Sequence, residues 1–281
     1  MRKAWIVVCL LLVGGGLAAG NGSVARRQLE ATMSVDGSVD VDDTGAVTAY
    51  VLDHPEKLPA GVTQLLAQTL PAFRFEPVRE HGVPRAVHAA MNLVVAANQV
   101  DPQHISIRVR SARFTDADTP ASGRVTVNVG AMPRYPDEAA RANVGGAVYV
   151  AMRIDRSGNV LDAQVQQVNL FAIDSESQMR RWRSVLGKAT LKTVRRYTFN
   201  VPTTGAHAGD ATFTGVLPVL YRIGAGPPVY GQWDSYVPGP RENIAWLAND
   251  DVLGVASEAI PDGVFAQTGL ALKLLTPIGG G

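Results

Sequence analysis

The stretch Val148-Tyr149-Val150-Ala151-Met152-Arg153-Ile154-Asp155-Arg156-Ser157-Gly158-Asn159-Val160 decides the fold class. Val148, Val150, Met152 and Ile154 recur at the period of two that sets one face of a strand on a core. Asp155 to Gly158 reads as a tight turn in which Gly158 supplies the positive φ a short hairpin needs. From Val160 to Val168 the apolar pattern resumes as a second, less regular strand.

Working outward, Ser175 to Arg196 reads as a helix with Trp182, Val185, Leu186 and Val194 facing inward. Tyr197-Thr198-Phe199 with Pro202, a glycine turn and a strand over residues 211–221 complete the unit. The same order occurs upstream. Gly37 to Val41 alternates, Asp42 to Gly45 turns, and Val47 to Leu52 is apolar. Val62, Leu65, Leu66 and Leu70 then have helical spacing as far as Pro71. Phe73-Arg74-Phe75, a turn from Pro77 to Pro84 and a strand over 90–97 follow, and Ile105, Ile107 and Val109 suggest one more strand over 104–114. The turns align as Val41-Asp42, Gly45, Val47 with Ile154-Asp155, Gly158, Val160, and Phe75-Glu76-Pro77 answers Phe199-Asn200-Val201-Pro202. The expected class is α+β, with two small modules of antiparallel sheet plus helix arising by tandem duplication.

Composition narrows the function. The chain has 281 residues, 46% apolar and 18% charged, with a net charge of +1, which argues against a generic nucleic-acid binder. Met1-Arg2-Lys3, an apolar run and Ala18-Ala19-Gly20 mark residues 1–20 as an export segment, a cleaved signal peptide being favoured over a single inner-membrane anchor. Cys9, the one cysteine, lies within it. His54, His81, His88, His104 and His207 show no metal-ligand spacing, and no nucleophile elbow or phosphate loop is present. No catalytic residue, metal or cofactor is expected, and the protein reads as no enzyme. Asp40, Asp42 and Asp43 form a solvated hairpin turn, since Val51 stands where a calcium loop needs its distal glutamate.

Upstream of the second module, Pro133-Arg134-Tyr135-Pro136 is held extended by its prolines, and residues 136–143 read as a short helix. This lead-in, with Ala139-Ala140-Arg141, Gly145-Gly146-Ala147-Val148 and the Asp155-x-x-Gly158-x-Val160 turn, resembles the C-terminal domain of the TonB energy-transducer family over about residues 132–221. A weaker resemblance covers 35–97. The resemblance implies a periplasmic domain that binds an extended segment of an outer-membrane receptor by adding it to a sheet edge. It assigns that contact to Pro133, Arg134, Tyr135 and Pro136 and to Val216, Leu217, Val219 and Tyr221 of the last strand. Pro218 interrupts the strand's donor row. The Ser/His-marked anchor and proline-rich spacer of the family's transducers are missing. The first module fills the spacer's place, which weakens the case for inner-membrane motor proteins as partners. The alternative is a structural, envelope-assembly protein that self-associates, as a homodimer, through its modules.

Arg180, Arg181, Arg183, Lys188, Lys192, Arg195 and Arg196 give the second helix a basic outer surface without an acid from 180 to 196. Residues 116–230 carry 13 bases against 9 acids and the tail from 231 carries 2 against 6, so tail docking on this helix is one expectation. The expected organisation is an N-terminal module over 30–115, a linker over 116–131, the TonB-like domain over 132–222 and an extension over 223–281. In the extension a short helix over 243–253 and a strand over 263–276 are expected. Trp233, Tyr236, Trp246, Leu247 and Phe265 mark it as packed on a module.

Overall fold

A computed structural model of the protein describes residues 30–101, 104–224, 229–247 and 257–278. The export segment expected over residues 1–20 lies outside the described residues. Among the described residues no helix is long and apolar enough to cross a membrane.

The chain runs β1 (Glu30–Val41), β2 (Val47–Leu52), α1 (Ala60–Thr69), β3 (Arg79–Glu80), β4 (Val83–Pro84), β5 (Val87–Asp101) and β6 (His104–Asp116). There follow β7 (Thr126–Val129), α2 (Asp137–Arg141), β8 (Gly146–Asp155), β9 (Val160–Leu170), α3 (Glu176–Val194), β10 (Thr198–Asn200), β11 (Thr212–Tyr221), β12 (Asp234–Tyr236) and β13 (Ala266–Gln267). One antiparallel sheet has the order β12-β1-β5-β6, with β2 also paired to β1, and the other has the order β13-β11-β8-β9. Each sheet packs one face on its helix. Val62 and Leu66 of α1 join Phe73, Phe75 and Phe114 in one core, while Met179, Trp182, Leu186 and Val194 of α3 lie on Val148, Val150, Met152 and Ile154 in the other. Ser175 caps α3 by accepting from the Gln178 amide at 3.4 Å.

The two β-hairpins at the start of each unit are built alike. Asp42 accepts from the Thr44 and Ala46 amides, each at 2.9 Å, and Asp155 accepts from those of Ser157 and Asn159, each at 2.8 Å. Gly45 and Gly158 have φ of 88° and 82°. Their carbonyls accept from the amides of Phe75 and Phe199 at 2.7 and 2.8 Å, and a Cβ on either glycine would stand 2.0 Å from the carbonyl oxygen of the same phenylalanine. The strand orders β2-β1-β5 and β9-β8-β11 correspond as well.

The outer sheet faces meet across the extension. Val94 of β5, Ala147, Tyr149 and Ala151 of β8 and Val216 of β11 enclose Ile244, Leu247, Ala259, Ile260 and Ala266. The extension differs from its expected elements. Over its described part, residues 244–247 make one turn, closed by Leu247 N–H to the Ile244 carbonyl at 2.9 Å, where a helix over 243–253 was expected. Of the strand expected over 263–276, only Ala266–Gln267 forms, because Gly269, with φ of 83°, turns the chain off β11. Within the expected linker, β7 pairs with β10.

Gly45→Ala and Gly158→Ala are each expected to cost about 1–3 kcal/mol, as positive φ and a clash with backbone act together; urea denaturation of the purified protein measures this. The hydrogen bonds from Thr44 and Ala46 hold the Asp42 carboxyl below its usual range, and those from Asn159 and Ser157 do so for Asp155. With folded values below the unfolded one, this stabilisation is present above about pH 4 and is lost as pH falls through the lower folded values. Asp42→Asn combined with Asp155→Asn should flatten the acid limb of stability, read from unfolding midpoints at a series of acidic pH values.

Candidate functional site: the β11 edge and the segment that covers it

β11 lies between β8 and the short β13, so its outer side would be an open edge but for the extension. A residue in a strand points its N–H and C=O to the same side, and alternate residues face alternate neighbours. The outward row runs through Thr214, Val216, Pro218 and Leu220. The Thr214 carbonyl accepts from Thr268 N–H at 2.8 Å, Val216 pairs with Ala266, and the Pro218 carbonyl accepts from Gly263 N–H at 3.1 Å. Leu220 N–H donates to Asp262 Oδ1 at 3.0 Å. Burial pushes the Asp262 carboxyl up. Pro218 thus turns its donorless nitrogen to the outer edge, where β8 loses nothing by it.

Of the strand residues assigned to a partner, Val216, Leu217, Val219 and Tyr221 are all buried. The lead-in segment stands beside the strand's end. Tyr135 donates to the Val144 carbonyl at 2.9 Å and packs edge-on against Tyr221 at 5.3 Å, and Tyr221 bonds Thr190 of α3 at 2.9 Å. Burial pushes both phenols up. Arg134 and Pro136 line a groove of about 420 Å3 with Lys192 and Arg196, so the lead-in segment meets the C-terminal turns of the basic helix. Pro133 is buried at the start of this segment.

The basic residues of α3 divide. Arg181 pairs with Glu138 of α2 at 2.7 Å, Arg183 donates to the Pro238 carbonyl at 3.2 Å, and Arg195 donates to the Ala163 carbonyl at 3.3 Å. Arg180, Lys188, Lys192 and Arg196 have no ion pair among the described residues. The tail touches this helix at Pro238, while Asp250 and Asp251 of its acids lie outside the described residues. Among the described residues, Asp234 pairs with Arg222, and Glu258 pairs with Arg110 of β6 at 2.9 Å, while Asn169 of β9 donates to Glu258 at 3.1 Å. Arg110 also meets Glu30 of β1 and stacks on Tyr236 at 5.6 Å. Burial dominates the upward shift of the Tyr149 and Tyr236 phenols around this cluster.

The extension reaches every region it passes. It pairs Val237 with Leu170 at the β9 edge, Ala271 with Thr115 of β6 and Leu274 with Phe75. Sequence reasoning missed Asp262, Glu258 and Arg110. The single available signal was Pro261-Asp262-Gly263 as a turn followed by buried Phe265.

The second module is a four-stranded antiparallel sheet with one long helix on its face, its strand β11 covered on the outer side by residues of the extension. Residues 131–223, which span the lead-in segment through β11, match the family model for the Gram-negative bacterial TonB protein C-terminal. The match leaves out the first module and the extension. Comparison of the chain with curated proteins and with solved structures finds no match.

Glu258 is 5% exposed and Arg110 18%. Glu258→Ala leaves Arg110 with Glu30 alone and strips Asn169 of its acceptor, so it should cost about 1–3 kcal/mol. Hydrogen exchange mass spectrometry should show faster exchange over residues 257–276 in this variant.

Proposed function

We propose that the protein is a non-enzymatic, TonB-like envelope protein that binds an extended segment of an outer-membrane receptor by strand addition at β11, in energy transduction or transport. The observation that carries this reading is the family match over residues 131–223, whose last strand is closed outward by a ladder of only two residues, Ala266–Gln267. In this reading residues 262–268 hold the place of the partner strand and leave when it binds. Proline at position 218 and the Asp262 cap limit the length of strand that can be added. The lead-in segment flanks the end of the same strand and supplies side-chain contacts through Arg134. A periplasmic location with a cleaved signal peptide fits this role. The shared hairpin geometry and strand order support descent of both modules, 30–115 and 132–222, from one duplicated unit.

A second reading rests on a separate observation. The outer side of β2 pairs with no strand among the described residues, and its sequence Val47-Thr-Ala-Tyr-Val-Leu52 carries neither charge nor proline. Val51 is 63% exposed there. Such an edge supports self-association of the modules.

Isothermal titration with a receptor plug-segment peptide separates the two. Asp262→Ala loosens the covering segment, so the peptide should bind this variant about tenfold tighter than the unaltered chain. Absence of binding to both chains would sink strand addition at β11. Under the second reading, sedimentation equilibrium gives a dimer that Val51→Lys dissociates.

A further inference from the structure

A cavity of about 480 Å3 lies where the outer face of the first sheet meets residues 124–127 and residues 261–270. Its sheet wall carries Asn92 and Arg113, which stand opposite each other on β5 and β6. Several polar groups around it are committed. The Asn92 amide donates to Asp36 at 2.8 Å, and the Gln267 side-chain oxygen accepts from Val125 N–H at 2.9 Å. Asp116, the one carboxylate in the wall, pairs with Arg85 and accepts from Asp118 N–H at 2.9 Å. The side chains of Arg113 and Arg124 have neither a hydrogen bond nor an ion pair among the described residues.

Arg113 is half-buried on the sheet and Arg124 is exposed, and a partly desolvated guanidinium without a counter-charge is held at some cost to the fold. Burial pulls Arg113 down to about 10, which leaves it charged at neutral pH. Two cationic side chains without a counter-charge on one cavity wall favour an anionic ligand over a neutral one. A guanidinium offers paired N–H donors that match carboxylate and phosphate oxygens. Val125, Val127, Phe265 and Leu270 give the wall an apolar part, beside Thr115, Thr119 and Thr126. A cavity of this size at a junction between modules, with an apolar part beside convergent polar groups, has the form of a small-ligand site.

We infer that this cavity binds a small organic oxyanion, an acidic head on a short apolar body, with the head on Arg113 and Arg124 and the body against Val125 and Phe265. Residues 261–270 form one wall and also cover the β11 edge, so ligand occupancy and edge closure are thermodynamically linked. The site itself does not depend on what β11 binds.

The test uses the full chain with sodium hexanoate as the probe, inorganic phosphate as the headgroup alone and sodium chloride at matched ionic strength as the control. Hexanoate should raise the unfolding temperature beyond chloride and slow hydrogen exchange over 261–270. Arg113→Gln should weaken hexanoate binding at least about tenfold in titration calorimetry, and Arg124→Gln should weaken it less. Phosphate binding that requires Arg113 and matches hexanoate would overturn the apolar part of the assignment. A hexanoate effect no larger than that of chloride, or one unchanged in Arg113→Gln, would overturn the site. If Arg113→Gln fails to fold, the exchange difference over 261–270 in the unaltered chain decides the question alone.

Discussion

Sheet edges present rows of N–H and C=O groups that another strand or water has to satisfy, and in this protein one irregular segment does so in several places at once. Residues 262–268 close β11, 271–272 reach β6, and 273–276 lie on Phe73 to Glu76. None of these contacts is a long ladder. The bonding is spread over single bridges, side-chain caps such as Asp262 on Leu220, and the backbone pair at Ala266–Gln267. Edge closure of this kind holds cooperatively, because each weak contact is fixed in place by its neighbours.

The Glu258–Arg110 pair anchors that segment from the other side. It ties β6 of the first module to the extension, and Asn169 ties the same carboxylate to β9 of the second. Buried ion pairs of this kind add specificity of arrangement more readily than net stability. The apolar contacts of Ile244, Leu247, Ala259 and Ile260 supply the area that holds the sheets together, while the charges fix their register. Domain-like behaviour of the two modules is therefore a matter of the extension, which lies between their outer faces.

What the sequence made legible follows the range of the interactions involved. The alternation from Val148 to Ile154, the turn at Gly158 and the helix beginning at Ser175 are local, and all three stand as read. The strand read over 104–114 is β6, because its period of two extends over enough residues to be seen. The extension was opaque for the opposite reason. Its strands are two or three residues long, too short for any period, and Arg74 N–H finds the Thr276 hydroxyl 202 positions away. Trp233, Tyr236 and Phe265 announced packing without saying where, and nothing local distinguishes Glu258 from the other acids of the tail. The lead-in tyrosine was legible in place and incomplete in role, since its hydroxyl partner Val144 and ring partner Tyr221 come from different elements.

The order of the chain gives the covering segment a kinetic meaning. β11 ends at Tyr221 and its cover reaches Thr268, so at ordinary rates of synthesis the strand exists for roughly 2–9 s before its own closing residues have been made. Until residues 262–268 have been made and docked, the outer side of β11 has no strand of its own chain to pair with. The finished molecule then differs from the nascent one in which strand its sheet has accepted.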